Sequence, residues 1–349
     1  MVAAEYRSIA ATLSALFALR FPGHTMGFIH TLAADVGGTN ARLAWVEVES
    51  GGRSAPMVLS AKTYRCADFS GLPAIIERFL SEHPGRPAAL ALACAGLRHG
   101  REVINRNLPW RLLLDPLESL AGEAPLHLSN DFEALARATR WVAADAGVNL
   151  FAGDVGETRA PVLVLGPGTG LGAALRVPVA DAEVVVPTEG GQAGFAPASD
   201  LEAAVLDLLR DELGHVCTEA VLSGPGLLRL YRALGQLRDQ VAALESPEAV
   251  GAAAVAGEDV LAVEAVRVFW GALASICGNS VLSLGAYGGV LLAGGILPRL
   301  MPLFDAGEFA RRFCDKGGLA PVLAQVPVRL IEHGQLGIVG AAMAAAPTV

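Results

Sequence analysis

Ile29-His30-Thr31-Leu32-Ala33-Ala34 runs into Asp35-Val36-Gly37-Gly38-Thr39-Asn40 and out again through Ala41-Arg42-Leu43-Ala44-Trp45-Val46-Glu47-Val48. Apolar residues on either side of a glycine pair predict two strands joined by a hairpin. Glycines at such a tip let the backbone come close to a ligand and point N–H groups at it, as phosphate-binding turns do. Thr39 and Asn40 add side-chain hydrogen bonds, and Asp35 at the strand end is positioned to hold Mg²⁺ through water. A plain hairpin turn is the bland alternative, since Gly-rich turns are common.

The pattern recurs in the second half. Val162-Leu163-Val164-Leu165 leads into Gly166-Pro167-Gly168-Thr169-Gly170-Leu171-Gly172, and Ala173-Ala174-Leu175-Arg176-Val177 leads out. Four glycines in seven residues exceed what a turn needs. The order strand–turn–strand excludes a Walker loop and a Rossmann fingerprint, both of which open a helix. A duplicated α/β unit with a cleft between its copies explains the echo, and two Gly/Thr tips facing that cleft can clamp one polyphosphate.

The remaining elements follow from periodicity. Residues 57–64 add a third antiparallel strand. Leu72, Ile75, Ile76, Phe79 and Leu80 share one helical face. Residues 88–94 are apolar throughout, as a buried central strand is. Residues 126–128 form a brief strand and 132–141 a helix. Ser199 and Glu202 have capping-box spacing ahead of a helix carrying Leu201, Val205 and Leu209. Helical stretches fill 247–284, a strand covers 290–293, another 326–331, and a helix 337–345.

Composition bounds the classes. At about 150 residues per domain, 349 residues suggest two domains. Hydrophobic residues at 53% against 17% charged exclude intrinsic disorder for most of the chain. A net charge of −9 without a Lys/Arg block argues against nucleic acid or an anionic membrane as partner. A phosphate site built from backbone N–H groups remains compatible with that charge. Cys66, Cys94, Cys217, Cys277 and Cys314 are odd in number and lack CxxC spacing, so neither a disulfide framework nor a zinc ribbon is expected. Reduced thiols in a cytoplasmic protein fit. Residues 9–19 are apolar but too short to span a bilayer and poorly flanked for a signal peptide. The expectation for 1–25 is a disordered or mis-started extension, with Met26 as the alternative start.

Three further motifs carry chemistry. Ser129-Asn130-Asp131 puts a carboxylate at the C-terminal end of a strand, where a general base belongs. The competing reading makes one of the three the N-cap of the next helix, and both hold if different residues serve. Pro187-Thr188-Glu189-Gly190-Gly191-Gln192-Ala193-Gly194-Phe195-Ala196-Pro197 sets a carboxylate and an amide about a Gly-Gly turn, a pairing that suits a polyol. The bland reading is a surface loop. Glu219, ahead of Leu222-Ser223-Gly224-Pro225-Gly226, alone reads as a solvated helix residue.

Taken in order, Asp-Val-Gly-Gly-Thr-Asn-Ala-Arg-Leu, Asn-Asp-Phe-Glu-Ala, Gly-Pro-Gly-Thr-Gly-Leu-Gly, Glu-Gly-Gly-Gln with Phe-Ala-Pro, Leu-Ser-Gly-Pro-Gly-Leu and Gly-Gly-Val-Leu-Leu-Ala-Gly-Gly-Ile resemble the bacterial glucokinases of the hexokinase/actin-like superfamily. The resemblance spans about 29–345. It implies an α/β, two-domain actin-like (ribonuclease H-like) ATPase fold with the active site in the interdomain cleft. The domains would be 26–140 plus 332–349, and 141–331. It implies transfer of the ATP γ-phosphate to the 6-hydroxyl of glucose, with Mg²⁺. Asp35, Gly37, Gly38, Thr39 and Asn40 match one phosphate loop; Gly168, Thr169 and Gly170 match the other. Gly294 and Gly295 lie in the adenosine segment. Asp131 matches the catalytic base and Asn130 its sugar-binding neighbour. Asn107, Glu189, Gln192 and Glu219 complete the sugar side. The family is often dimeric.

One residue departs from the pattern: the family usually has His where Gln192 stands. Gln keeps a donor and an acceptor but carries no charge, so strictness for glucose over other hexoses is the property affected. The Cys-rich zinc motif of the related repressor/kinase branch is missing. A sugar-sensing regulator would need a DNA-binding helix-turn-helix, and the residues before the first motif are too few and lack a basic helix. A phosphohydrolase would have no use for Glu189 and Glu219.

Overall fold

The computed structural model describes residues 27–346 except 53, 106, 144, 154–158, 181 and 333. The expectation for residues 1–25 lies outside the described residues. Contacts divide the chain into two units, one from 27–141 with 335–346 and the other from 142–334.

In the first unit the described strands include β1 (Phe28–Val36), β2 (Asn40–Glu49), β3 (Met57–Arg65), β4 (Ala89–Cys94) and, beyond a small three-stranded sheet β5 (Leu97–His99), β6 (Glu102–Ile104) and β7 (Leu112–Leu113), β8 (Leu126–Asn130). The main sheet has the order β3-β2-β1-β4-β8. β1–β2 and β2–β3 pair antiparallel, while β1–β4 and β4–β8 pair parallel. Period-2 alternation assigns the faces. Leu32, Ala34 and Val36 of β1 join Ile75, Ile76 and Phe79 of the helix Leu72–Glu82 in one core. Ala33, Ala44, Ala91 and Ala93 line the other face with Ile338, Ala341 and Ala342 of the helix Leu336–Met343. Small residues there let helices approach closely. A Cβ on Gly340 would lie 1.6 Å from the carbonyl oxygen of Ala134, so that pair of helices meets backbone to backbone. Arg137 ties the same pair by donating to the Gly340 carbonyl at 3.1 Å.

In the second unit β9 (Val148–Phe151), β10 (Val162–Pro167), β11 (Leu171–Val179), β12 (Ala182–Thr188), β13 (Gly289–Leu292) and β14 (Val328–Leu330) form a sheet ordered β12-β11-β10-β13-β14-β9. Its first five strands repeat the first unit's pattern: two antiparallel pairs, then two parallel ones. The echo between the halves is thus a repeat of sheet topology, with the two Gly/Thr turns at equivalent strand junctions. The helix Val260–Leu284 begins at the N-cap Asp259 and stops at Gly285 in the left-handed region. It is long and apolar enough to cross a membrane, but most of it is buried in this unit's core, as a core helix is.

Several expectations shift. The helical region 247–284 is two helices, because Gly257 at φ +70° closes the first. The strand expected over 326–331 pairs only as Val328–Leu330, after a proline that lacks an N–H. Ser199 does accept from the Glu202 N–H, but the Glu202 carboxylate reaches Ala198 N–H at 2.7 Å and Arg312, leaving half a capping box. β12 lies outside the expected elements; it pairs on one side only, as an edge, where a proline such as Pro187 is tolerated.

Candidate active site

The parallel strands of the first unit end level. Asp35, Ala93 and Ser129 share one register row and Val36, Cys94 and Asn130 the next. Ligands of open α/β sheets bind at such carboxyl ends. Asn130 is the N-cap of the helix Asp131–Ala138. Its Oδ1 accepts from Phe132 N–H at 2.8 Å and Glu133 N–H at 3.4 Å, and Glu133 returns a bond to the Asn130 N–H. Both lone pairs of Oδ1 are engaged, so Asn130 can serve a ligand only as a donor, through Nδ2. Asp131 is the first helical residue, half-buried, with Oδ1 accepting from Phe132 N–H at 2.9 Å. The cap and the carboxylate are therefore different residues of the trio.

The hairpin tip between β1 and β2 is held by its own backbone: Gly37 N–H donates to Asn40 O at 3.0 Å. That N–H is engaged inside the turn, which leaves the side chains of exposed Thr39 and Asn40 facing outward. Gly38 is needed for space, since a Cβ there would lie 2.6 Å from the Cβ of Asn107. The structure thus brings Asn107 against this loop. Asn105 accepts from Asn107 N–H at 2.9 Å and holds the segment. Asp35 lies 3.6 Å from Arg42. Gly337 at the start of the last helix gives its carboxyl room, because a Cβ would come within 2.9 Å.

Two buried thiols stand in this region. Sequence reasoning misses them as site neighbours, because cysteine spacing speaks only to disulfides and metals. Cys66 donates its backbone N–H to Thr39 O at 2.9 Å and its thiol to Gly37 O at 3.5 Å. Burial pushes the Cys94 thiol up to about 12, against a hydrogen bond with Asn105 and helped by the charges of Asp131 and Asp35. It stays protonated at neutral pH and is a packing group, not a nucleophile.

In the second unit the tip between β10 and β11 closes through Gly168 N–H on Gly170 O at 2.7 Å. Gly168 O accepts from Gly224 N–H, at the start of the helix Gly224–Leu237, at 2.8 Å. Thr169 is exposed, and a Cβ on Gly168 would meet nothing within 4 Å, so this face of the loop is open. Gly294 packs on the same strand end: its φ is +104° and a Cβ would lie 2.3 Å from Pro167 O. Gly295 beside it faces open space. Glu189 and Gln192 are exposed about the short turn Gly190–Gln192. The His215 ring nitrogen stands 3.3 Å from Gln192 O. Glu219 departs from its solitary reading: it is half-buried in the turn Thr218–Ala220 and accepts from Leu171 N–H at 2.8 Å. Spacing alone carried no sign of this contact, because 48 residues separate the partners.

Known proteins are similar to this chain over most of its length. A "Glucokinase-like protein" of Xylella fastidiosa (strain 9a5c) is 43% identical over 311 residues, 89% of this chain and 93% of its own. A "Glucokinase" of Paramagnetospirillum magneticum is 38% identical over 314 residues, covering 89% and 96%. The crystal structure of a glucokinase from an Antarctic psychrotroph superposes with a TM-score of 0.80 at 32% identity, covering 91% of this chain and 99% of that one. The duplicated sheets have the two-domain actin-like fold of sugar kinases. The model of the family described as Glucokinase matches residues 32–348, and the chain belongs to that family of ATP-dependent sugar kinases.

Proposed function

We propose that this chain transfers the γ-phosphate of ATP to the 6-hydroxyl of D-glucose, giving glucose 6-phosphate and ADP. The observation that carries this reading is the paired construction. Two Gly/Thr turns stand at equivalent strand ends of two like sheets, each with a sugar-side residue packed against its glycine, Asn107 on Gly38 and Glu219 on Gly170. Membership of the glucokinase family supports glucose as the acceptor.

In this reading Asp131 takes the proton from the attacking hydroxyl. Asn130 donates through Nδ2 to a neighbouring sugar oxygen. Asn107, Glu189, Gln192 and Glu219 orient the rest of the ring. The backbone of Gly38, Thr39, Asn40, Thr169 and Gly170 cradles phosphate oxygens, and the turn at Gly294–Gly295 receives the adenosine. Phosphoryl transfer depends mainly on positioning and charge stabilisation, which such loops provide.

Among the described residues no group of three or more His, Cys, Asp or Glu forms a metal cage. That suits Mg²⁺, which keeps several waters and binds through one or two carboxylates plus substrate phosphates. Asp35 is the hard oxygen donor at the loop, and it would hold the ion through water. When bound, the ion neutralises charge on the phosphates.

Asn130 separates two roles. Asn130→Asp keeps the N-cap, as Asp caps as well as Asn, but replaces the donor with an acceptor beside Asp131. The expected result is an unchanged melting temperature with a KM for glucose raised about tenfold or more, as for a lost hydrogen bond to a buried partner. An unchanged KM in steady-state assays would remove Asn130 from the sugar site.

The reading is tested by ADP formation with Mg²⁺-ATP across a hexose panel. Turnover with glucose alone supports it. Comparable turnover on mannose, glucosamine or fructose supports the second reading, a broader hexokinase, which the exposed Gln192 favours. No sugar-dependent ADP from folded protein would overturn both.

A further inference from the structure

Glu219 is placed oddly for a residue that serves only a sugar. Its Oε2 accepts the Leu171 N–H at 2.8 Å, and Leu171 is the residue through which the Gly168–Gly170 turn enters β11. Gly170 is bare on the side facing it, since a Cβ there would lie 2.4 Å from Oε2. Among the described residues no cation pairs with this carboxylate and no donor reaches Oε1. The turn that carries Glu219 is fixed from below. Thr218 donates both its N–H and its hydroxyl to Ala193 O, at 2.8 and 3.1 Å. Ser223 donates its hydroxyl to Glu219 O at 2.8 Å while its Oγ accepts from Gly226 N–H, the N-cap bond of the helix Gly224–Leu237. Leu171 has a second neighbour: a Cβ on Gly191 would lie 2.4 Å from Leu171 O, so the Glu189–Gln192 turn rests on the carbonyl of the residue whose N–H Glu219 holds.

We infer that Glu219 is the positioning residue of the Gly168–Gly170 phosphate loop, and that through Leu171 it couples occupancy of the sugar residues to the geometry of the nucleotide residues. One carboxylate has two ends. Oε2 holds the loop and Oε1 points to what binds beside it. A sugar hydroxyl donating to Oε1 fixes the carboxylate plane and with it the Leu171 N–H. A charge-assisted bond to a backbone N–H is stronger than a neutral one and well suited to this task. The inference rests on the kinase reading above and deepens it.

Two variants of the full chain test it: Glu219→Met, which keeps bulk but accepts no hydrogen bond, and Glu219→Gln, which keeps an acceptor for Leu171. The probe is Mg²⁺ with the non-hydrolysable ATP analogue AMPPNP, titrated calorimetrically with no sugar present. Glu219→Met is expected to weaken AMPPNP about tenfold, the size of a lost charge-assisted bond. Glu219→Gln is expected to stay within about threefold of wild type while its KM for glucose rises. A sugar ligand without a positioning role would raise KM for glucose in both variants and leave AMPPNP affinity unchanged in both, and that result overturns the inference. Hydrogen exchange at the Leu171 amide separates failure of the inference from failure of the kinase reading. Faster exchange in Glu219→Met is expected, and unchanged exchange refutes the bond itself. Faster exchange in a protein whose wild type binds no AMPPNP either without or with glucose refutes the kinase reading, and the coupling with it. If Glu219→Met does not fold, Glu219→Ala takes its place, and Glu219→Gln retains its own readout.

Discussion

Asp131→Ala is expected to lower turnover by about 10²–10⁴-fold, the usual contribution of a general base, with the fold kept. The fold should survive because the helix start does not depend on this side chain. Asn130 caps the helix, and Glu133 closes the box. Among its contacts Asp131 accepts from Phe132 N–H, and its charge at a helix N-terminus is worth about 0.3–1 kcal/mol. Asp131→Asn sharpens the test, since it retains an acceptor for Phe132 but cannot take a proton. Both variants should lose turnover alike while the circular-dichroism melt moves by a few degrees at most. Near-normal turnover in either would remove Asp131 as the base, whatever the protein phosphorylates.

The largest stability effect is expected in the other unit. Glu202 and Arg312 are 2% and 6% exposed and form an ion pair. Arg312 also donates to Ser275 Oγ at 3.0 Å, and Glu202 accepts from Ala198 N–H. Three helices, Asp200–Leu213, Val260–Leu284 and Ala306–Cys314, are pinned by that one cluster. Gly271 makes room for it, as a Cβ would lie 3.3 Å from the guanidinium. Arg312→Met leaves a buried carboxylate without its cation, and breaking such pairs costs about 3–5 kcal/mol. At about 2–4 °C per kcal/mol for a unit of this size, the melt should fall by roughly 6–20 °C. The double variant Glu202→Leu with Arg312→Met should recover much of that loss, because a matched apolar pair leaves no unpaired charge. A double variant no more stable than Arg312→Met would show that the cluster holds the helices by its own bonds and not by charge balance.

Part of the site was legible because it is local. The hairpin tips at 37–40 and 168–170 announce themselves by glycines between apolar runs, and alternation and turn residues act within a few positions. The capping competition at 129–131 was likewise visible as a competition. Its outcome was not, because Asn and Asp are equal N-caps and only the backbone path selects Asn130.

Other features depend on residues far apart in the chain. Gly38 and Gly170 read as flexible turn residues, yet neither has a positive φ, and both are required for close packing against Asn107 and Glu219. Gly340 sits in an apolar helix where Ala would have better propensity, and only the contact with Ala134 explains it. Edge strand β12 and the small sheet β5–β7 have weak local signals and exist because neighbours pair with them.

The sequence by itself determined the α/β class, the two strand–turn–strand hairpins, the resemblance that names the family and the residue types of the site. Each of these rests on short-range patterning or on motif order. Tertiary structure alone decided that five strands of each main sheet share one order, that Cys66 braces the turn at Gly37 and Thr39, that Arg312 and Glu202 meet, and that Glu219 holds Leu171. Those contacts join residues tens to more than a hundred positions apart, and hydrophobic periodicity carries no information about which distant side chains will meet.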